Sequence, residues 1–461
     1  MSNIQIMEKS RLTVLREMRL FLIVWVGQLI AIIGTTTTGF ALDVWVYNRT
    51  GSVTQFALVS LFNTLPYVLI SPIAGPLVDK WDRRKTMIIA DLLACLGTIA
   101  IGVLFVMGRL EVWHIYLANT FTAVFMAFHS PAYTASTVLL VPQQYLTRAN
   151  GLMSLMYGIS IIIAPTLGGF LLSILQLPGI ILLHITNVLI AVVSLMLVRF
   201  PQVNTSDVAT DRGSFVNETT YGFKYLTSRP GLLGLVLFSA SSFYLVGGIN
   251  VITIPLVLNY ASVGVLGTIM SLFGIALLAG GLLMSIWGGL ERKIYAICGC
   301  MLLNGVFLFV AGLQPSLIVF TVSIFLFSLT QPIISSSTLA AIQSKVEPSV
   351  QGRIFALKGA IEAAALPLGQ ITIGALAEKV FEPLMATDGY LAGSIGQIIG
   401  VGSGRGMGLL LMMMGVLSIL GTSIAYLYPR LRFVEDELPN INDAVTSQAC
   451  HPLNPDLKLS A

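Results

Sequence analysis

The 461-residue chain is 56% hydrophobic and only 10% charged, against roughly 45–50% and about 25% for a soluble globular domain, so it lacks the polar side chains to cover a surface facing water. Its formal net charge of +4 is dispersed along the chain, which excludes the clustered basic face that nucleic-acid binding needs. The environment implied by this composition is membrane lipid.

A helix crossing a hydrocarbon core about 30 Å thick needs about 20 mostly apolar residues. Such runs fall at 20–46, 54–78, 85–107, 112–140, 150–176, 178–199, 231–258, 263–288, 293–312, 316–342, 353–378 and 405–428. The expected fold is an all-α membrane protein of twelve transmembrane helices. The first run is too long for a signal-peptide core and is followed by no small-residue cleavage site, so it counts as a span. Ser52 with Gln55 predicts a capping box opening the second span. Leu177-Pro178-Gly179 and Gln314-Pro315 read as tight turns between neighbouring helices. The four cysteines, Cys95, Cys298, Cys300 and Cys450, form neither a CxxC pair nor a secreted framework, so neither a disulfide nor zinc is expected.

Residues 200–230 form the long polar interruption that separates six spans from six. The expected organisation is an N-terminal segment (1–19), a first six-helix bundle (20–199), a linker (200–230), a second bundle (231–428) and a disordered tail (429–461). Assigned to alternate loops, all but four of the 25 Lys and Arg fall on the side of both termini and the linker. The other side receives Arg49, Arg109, Lys379 and Arg405. The positive-inside rule makes the termini and linker cytoplasmic, and the expected location is the inner (plasma) membrane. The Gly- and Ser-rich loop at 381–404 falls on the outer side, with no role assigned to it.

The halves also repeat. Pro131-Ala132-Tyr133-Thr134-Ala135-Ser136-Thr137 in the fourth span aligns with Pro332-Ile333-Ile334-Ser335-Ser336-Ser337-Thr338 in the tenth. At similar offsets, Gly151 to Pro165 matches the stretch ending at Pro367, and Gly75 to Trp81 matches Gly281 to Trp287. Duplicated halves with a site near the membrane midplane are a common build for secondary transporters. No Walker loop, GxSxG, HExxH or paired-acid pattern occurs, so neither an enzyme nor a nucleotide-driven pump is expected, and no cofactor.

The most specific stretch is Gly75-Pro76-Leu77-Val78-Asp79-Lys80-Trp81-Asp82-Arg83-Arg84-Lys85, after the second span. It resembles the signature loop of the major facilitator superfamily, G-x-L-x-D-[RK]-x-[GD]-R-[RK], in the expected place of a 6+6 chain. Gly75 is expected to let a neighbouring helix approach closely. Asp79 is suited to accept hydrogen bonds from a helix N-terminus. The resemblance places that partner at the start of the eleventh span, near Gly352 and Arg353, as a cytoplasmic gate that also includes Arg83 and Arg84. The plainer reading of those arginines is a topology signal. The corresponding C-terminal stretch has Ser285 in place of the aspartate.

In the fifth span, Ala164-Pro165-Thr166-Leu167-Gly168-Gly169 resembles the G-P-x-x-G-G motif of drug antiporters, with Ala164 replacing a glycine. Pro165 would free a carbonyl, and Gly168 and Gly169 would allow close packing; a plain packing kink is the alternative. Within the superfamily the chain resembles macrolide-efflux-type permeases and siderophore exporters, through this signature loop, Asn48-Arg49-Thr50-Gly51-Ser52, Ala127-Phe128-His129-Ser130-Pro131-Ala132 and Gly352-Arg353-Ile354-Phe355-Ala356-Leu357. The resemblance implies alternating access by a monomer that exports a hydrophobic or amphipathic small molecule. The rival readings are an importer or lipid flippase on the same fold, or a transport-inactive receptor or scaffold.

Carboxylates buried in a membrane are costly unless they face a cavity or a partner. Glu362, about 13 Å into the eleventh span, is a candidate for coupling to protons, with an ion pair to Lys358 one turn away as the equal alternative. Asp43 and Asp91 are further candidates; Arg49 is expected to neutralise Asp43, and Arg83 or Arg84 to pair with Asp91. Drug and proton antiporters of the superfamily often carry an arginine in the fourth span, yet Val112 to Thr147 contains no Lys or Arg. Gln28, Asn63, Tyr67, Asn119, His129, Asn250 and Gln331 are candidates to line a substrate cavity, each also readable as interhelical packing. His129 and His184 show no metal-ligand spacing.

Overall fold

The computed structural model describes residues 16–78, 80–200, 223–290, 292–314, 316–346 and 348–433. The expected linker at 200–230 and disordered tail fall mostly outside them. Among the described residues there is no strand, and the long elements are helices. We label them α1 (Arg19–Thr50), α2 (Val53–Val78), α3 (Arg83–Val106), α4 (Val112–Leu140), α7 (Pro230–Leu258), α8 (Val263–Trp287), α9 (Lys293–Leu313), α10 (Leu317–Lys345), α11 (Pro348–Leu376) and α12 (Arg405–Leu427). Helix Leu146–Leu197 runs through a single non-helical residue, Gln176 (φ 54°, ψ −174°), which divides it into α5 (146–175) and α6 (177–197). Gln176 sits one residue before the expected Leu177-Pro178-Gly179 turn; with the break there, Pro178 falls in the first turn of α6, where its missing N–H leaves no helical bond unmade. Among the described residues, eleven continuous helices are long and apolar enough to cross a membrane, and one of them is this divided run.

Local chemistry sets the helix ends. Asp82 caps α3 by accepting the Lys85 N–H at 3.0 Å. Glu111 and His114 form a reciprocal capping box at α4. Gly51 ends α1 in the left-handed region, at φ 63°, with its N–H on the Tyr47 carbonyl. At α2 half of the expected box forms: the Ser52 hydroxyl accepts the Gln55 N–H at 3.1 Å, but the Ser52 N–H goes to Thr50 Oγ1. The nearby threonine takes the donor that a returning Gln55 side chain would have used.

Many large apolar side chains point outward, Ile286 at 87% exposure among them. In water each would forfeit about 1.5–3 kcal/mol of burial; against acyl chains they cost nothing.

The chain divides into two compact units. The first draws on Met1–Thr210, Gly247–Ile275 and Pro367–Met407, and the second on Asp211–Val246, Ala276–Leu366 and Gly408–Ala461. In the first unit, one apolar cluster gathers Phe21, Val24, Met87, Tyr133, Tyr145 and Leu195, and a second gathers Leu42, Val46, Ile101, Ile115 and Ile180. Glycines bring α1 onto α6: a Cβ at Gly27 would collide with Ser194, and one at Gly34 with Asn187. In the second unit, Gly305 and Gly415 seat α9 on α12; a Cβ at Gly305 would stand 2.8 Å from the Gly415 carbonyl oxygen.

The sequence repeat has a structural counterpart. Pro131 lies inside α4 and Pro332 inside α10, both 29 residues long. Each proline is followed by a fully buried Ser-Thr pair, Ser136-Thr137 and Ser337-Thr338. The loop at 381–404 is tied closed by Glu382, whose carboxylate accepts the N–H groups of Gly404 (3.2 Å) and Met407 (3.0 Å) and so caps the start of α12.

Candidate functional site

The signature loop anchors α3. Arg83 Nη1 donates to the Ala135 carbonyl of α4 at 3.0 Å, and Arg84 Nη2 to the Met196 carbonyl of α6 at 2.6 Å. Met196 lies in the last turn of α6, where a cation complements the dipole and the unpaired acceptors; Ala135 lies inside α4, five residues before its end at Leu140. Neither arginine meets Asp91, contrary to expectation. Asp91 lies about 10–12 Å further along α3, and both guanidinium groups are held at the helix start. Asp79 and the side chains of Gly352 and Arg353 are outside the described residues, and with them the expected gate contact. Gly75 makes no close approach: no described neighbour comes within 4 Å of where its Cβ would stand.

Three predicted residues from separate spans converge inside the first unit. Asp91 Oδ1 lies 3.3 Å from His129 Nε2 of α4, and Asp91 Oδ2 accepts from Gln28 Nε2 of α1 at 3.4 Å. All three are buried, at 8%, 6% and 5% exposure. Along α1, α3 and α4 they fall where the first apolar cluster ends and before the second begins, so the polar group sits at a junction between greasy layers.

The antiporter-like stretch of α5 packs tightly. Ala164 is fully buried. A Cβ at Gly168 would stand 2.6 Å from Phe40 of α1, and one at Gly169 would stand 2.7 Å from the Val263 carbonyl oxygen of α8. From the α8 side, a Cβ at Gly267 would collide with the Pro165 carbonyl and one at Gly274 would press on Ile161 and Ile162. Thr166 and Ser271 share a hydroxyl hydrogen bond at 2.6 Å, and the Ser271 hydroxyl also donates to the Ile162 carbonyl. This seam of small residues lets two backbones touch, as membrane helices do where van der Waals contact and hydrogen bonds hold them together.

In the second unit, Glu362 pairs with Lys358 at 2.7 Å and also accepts from the Ser239 hydroxyl of α7. The neighbouring Ser242 donates to Gln331 Oε1 of α10 at 2.8 Å. Asp43 forms no ion pair with Arg49 among the described residues. Six residues apart on one helix, the two point about 120° apart around the axis. Asn119 reaches toward the Val59 carbonyl of α2 at 3.5 Å, a packing contact. Asn63 and Asn250 are exposed, and Tyr67 is half-buried; the structure does not gather them with the Asp91 group.

Some contacts involve residues outside the sequence expectations. Ser239 and Ser242 carried a usable signal, since their i,i+3 spacing puts both on one face of a mostly apolar helix. Glu378 carried none. Its carboxylate accepts the Ser52 hydroxyl at 2.8 Å and the Thr54 N–H at 2.7 Å, capping α2 from more than 320 residues away in sequence.

Residues 24–370 match the Major Facilitator Superfamily. The chain belongs to that family. It is 31% identical to macrolide efflux protein A of Streptococcus pyogenes over 367 residues, covering 78% of this chain and 90% of that protein. It is 24% identical to the enterobactin exporter EntS of Citrobacter koseri over 375 residues, 79% of this chain and 87% of the exporter. Among solved structures, a bacterial homolog of the human lysosomal transporter Spinster superposes with a TM-score of 0.67 at 15% identity, covering 91% of this chain and 98% of that one. A bacterial homologue of the iron transporter ferroportin superposes with a TM-score of 0.64 at 16% identity, covering 92% and 100%. These superpositions establish the twelve-helix major facilitator fold, with its two pseudo-symmetric six-helix bundles.

The side chains brought together are a carboxylate with an imidazole, a carboxylate with an ammonium, and hydroxyls and amides on apolar helices.

Proposed function

We propose that this chain exports a hydrophobic or amphipathic small molecule, of macrolide or siderophore type, in exchange for protons. The observation that carries the reading is the extent of the likeness to macrolide efflux protein A: 31% identity across 90% of that protein spans both six-helix halves rather than one motif. The enterobactin exporter, matched across 87% of its length, supports the same direction of movement.

In this reading the halves at 20–199 and 231–428 work as a monomer by alternating access in the inner membrane, with the termini and the linker cytoplasmic. Asp79 and the start of α11, near Gly352 and Arg353, act as the cytoplasmic gate. The small-residue seam of α5 with α8 is a bearing surface. Smooth backbone contact lets helices shift without passing side chains over one another.

The test is expression in bacteria lacking their own drug pumps, with macrolide susceptibility and cell-associated labelled erythromycin as readouts. Export predicts lower accumulation and higher tolerance, both abolished by Asp79→Asn. An importer would raise accumulation. A receptor or scaffold would leave both readouts unchanged.

A further inference from the structure

Among the described residues, Asp91 pairs with His129 in the first unit and Glu362 with Lys358 in the second, and the two pairs differ in how they balance charge. Lys358 and Glu362, 2.7 Å apart, cancel as ammonium and carboxylate, with Ser239 completing the carboxylate's shell. That pair is neutral without gaining or losing a proton. Among the described residues Asp91 has no lysine or arginine partner. The nearest loop cations, Arg83 and Arg84, are hydrogen-bonded to the Ala135 and Met196 carbonyls, and the groups at the Asp91 carboxylate are His129 at 3.3 Å and the neutral Gln28 at 3.4 Å.

This cluster is therefore neutral only while it holds one proton, on the imidazole or on the carboxyl. Removing it leaves a bare anion buried among apolar helices, and a second leaves a bare cation; both are costly. Histidine is also the side chain whose ordinary proton exchange falls between pH 5 and 8. Among the described residues the groups around the pair are uncharged. On α3 the adjacent titratable group is Cys95, within electrostatic reach of Asp91, and the α6 residues packed on it are Val188 and Val192. On α4 it is Tyr133, its ring 6.2 Å from that of His129, with Tyr157 of α5 beyond it. The contribution from α1 is the Gln28 amide.

His129 Nε2 is buried yet makes no aligned hydrogen bond, although a carboxylate oxygen stands within 3.3 Å.

We propose that the Asp91–His129 pair, held by Gln28, is the proton-exchange site of the N-terminal half, in the place of the arginine that the fourth span lacks. Loading forms an N–H bond at the imidazole from a proton of bulk water. Discharge breaks that bond and returns the proton to water on the other side, with no other bond changing. This inference rests on the exchange of solute for protons proposed above.

The test uses the full chain labelled with [15N]histidine in lipid nanodiscs, followed by NMR from pH 5 to pH 9. His129→Gln assigns the resonance by removing it. The expected result is a His129 signal that titrates within that range, with a midpoint that Asp91→Asn displaces by a pH unit or more. A signal fixed in one protonation state throughout, or an unmoved midpoint in Asp91→Asn, overturns the proposal. In proteoliposomes, each variant should lose at least 10-fold of pH-driven erythromycin accumulation; retention of wild-type accumulation also overturns it. The NMR titration needs no solute, so its failure is distinguishable from a failure of the export reading.

Discussion

The Glu378 carboxylate accepts the backbone N–H of Thr54 at 2.7 Å, placing an anion on the first turn of α2 where unpaired N–H groups and the helix dipole favour it. The same carboxylate takes the Ser52 hydroxyl, and Ser52 in turn receives the Gln55 N–H. Three groups of one helix start thus depend on a side chain that follows α11.

Because these bonds share partners, their losses should not add. Glu378→Ala should cost about 1–2 kcal/mol, the range for a lost charged cap. Ser52→Ala should cost less, and the double variant less than the sum. Thermal unfolding of the detergent-solubilised protein checks the ordering.

The seam of α5 with α8 makes a sharper prediction. Gly267→Ala puts a methyl group into the Pro165 carbonyl, and overpacking of that kind costs about 1–3 kcal/mol. Gly264→Ala, whose Cβ would meet nothing nearer than Ser262 Oγ at 3.9 Å, should leave expression and transport at wild-type levels. Equal behaviour of the two variants would show that close backbone approach is not what Gly267 provides.

The buried Lys358–Glu362 pair should behave as a closed unit. Removing one partner, as in Glu362→Gln or Lys358→Met, strands a charge and should cost about 3–5 kcal/mol, whereas Lys358→Met with Glu362→Met should cost far less. If Glu362 instead carried coupling protons, Glu362→Gln would abolish pH-driven accumulation while leaving the melting temperature unchanged.

Topology is checked by labelling single introduced thiols in a chain whose four native cysteines are replaced. Thiols at residue 215 and in the C-terminal tail should react from the same face of the membrane, and a thiol at Arg49 from the opposite face.

What the sequence made legible was whatever depends on one helix at a time. The second span, expected at 54–78, is Val53–Val78, the fourth is Val112–Leu140 as expected, and the ninth, expected at 293–312, is Lys293–Leu313. Apolar length and turn residues are enough to fix such ends. The Pro-Ser-Thr repeat was legible for the same reason. Pairings were not. Asp91 meets His129 across 38 positions and Glu362 meets Ser239 across 123, and these contacts depend on which faces of separate helices oppose each other. In uniformly apolar helices, hydrophobic periodicity carries little of that information. Sequence proximity pointed Asp91 toward Arg83 and Arg84, but helix geometry sent those arginines to nearby carbonyl groups instead.

The most direct measurement is uptake of labelled erythromycin by everted vesicles or proteoliposomes containing this chain, with the lumen more acidic than the medium. The account predicts accumulation above the level in protein-free vesicles, collapsing when an ionophore dissipates the pH gradient. Uptake no greater than in protein-free vesicles, or uptake indifferent to the gradient, would contradict it.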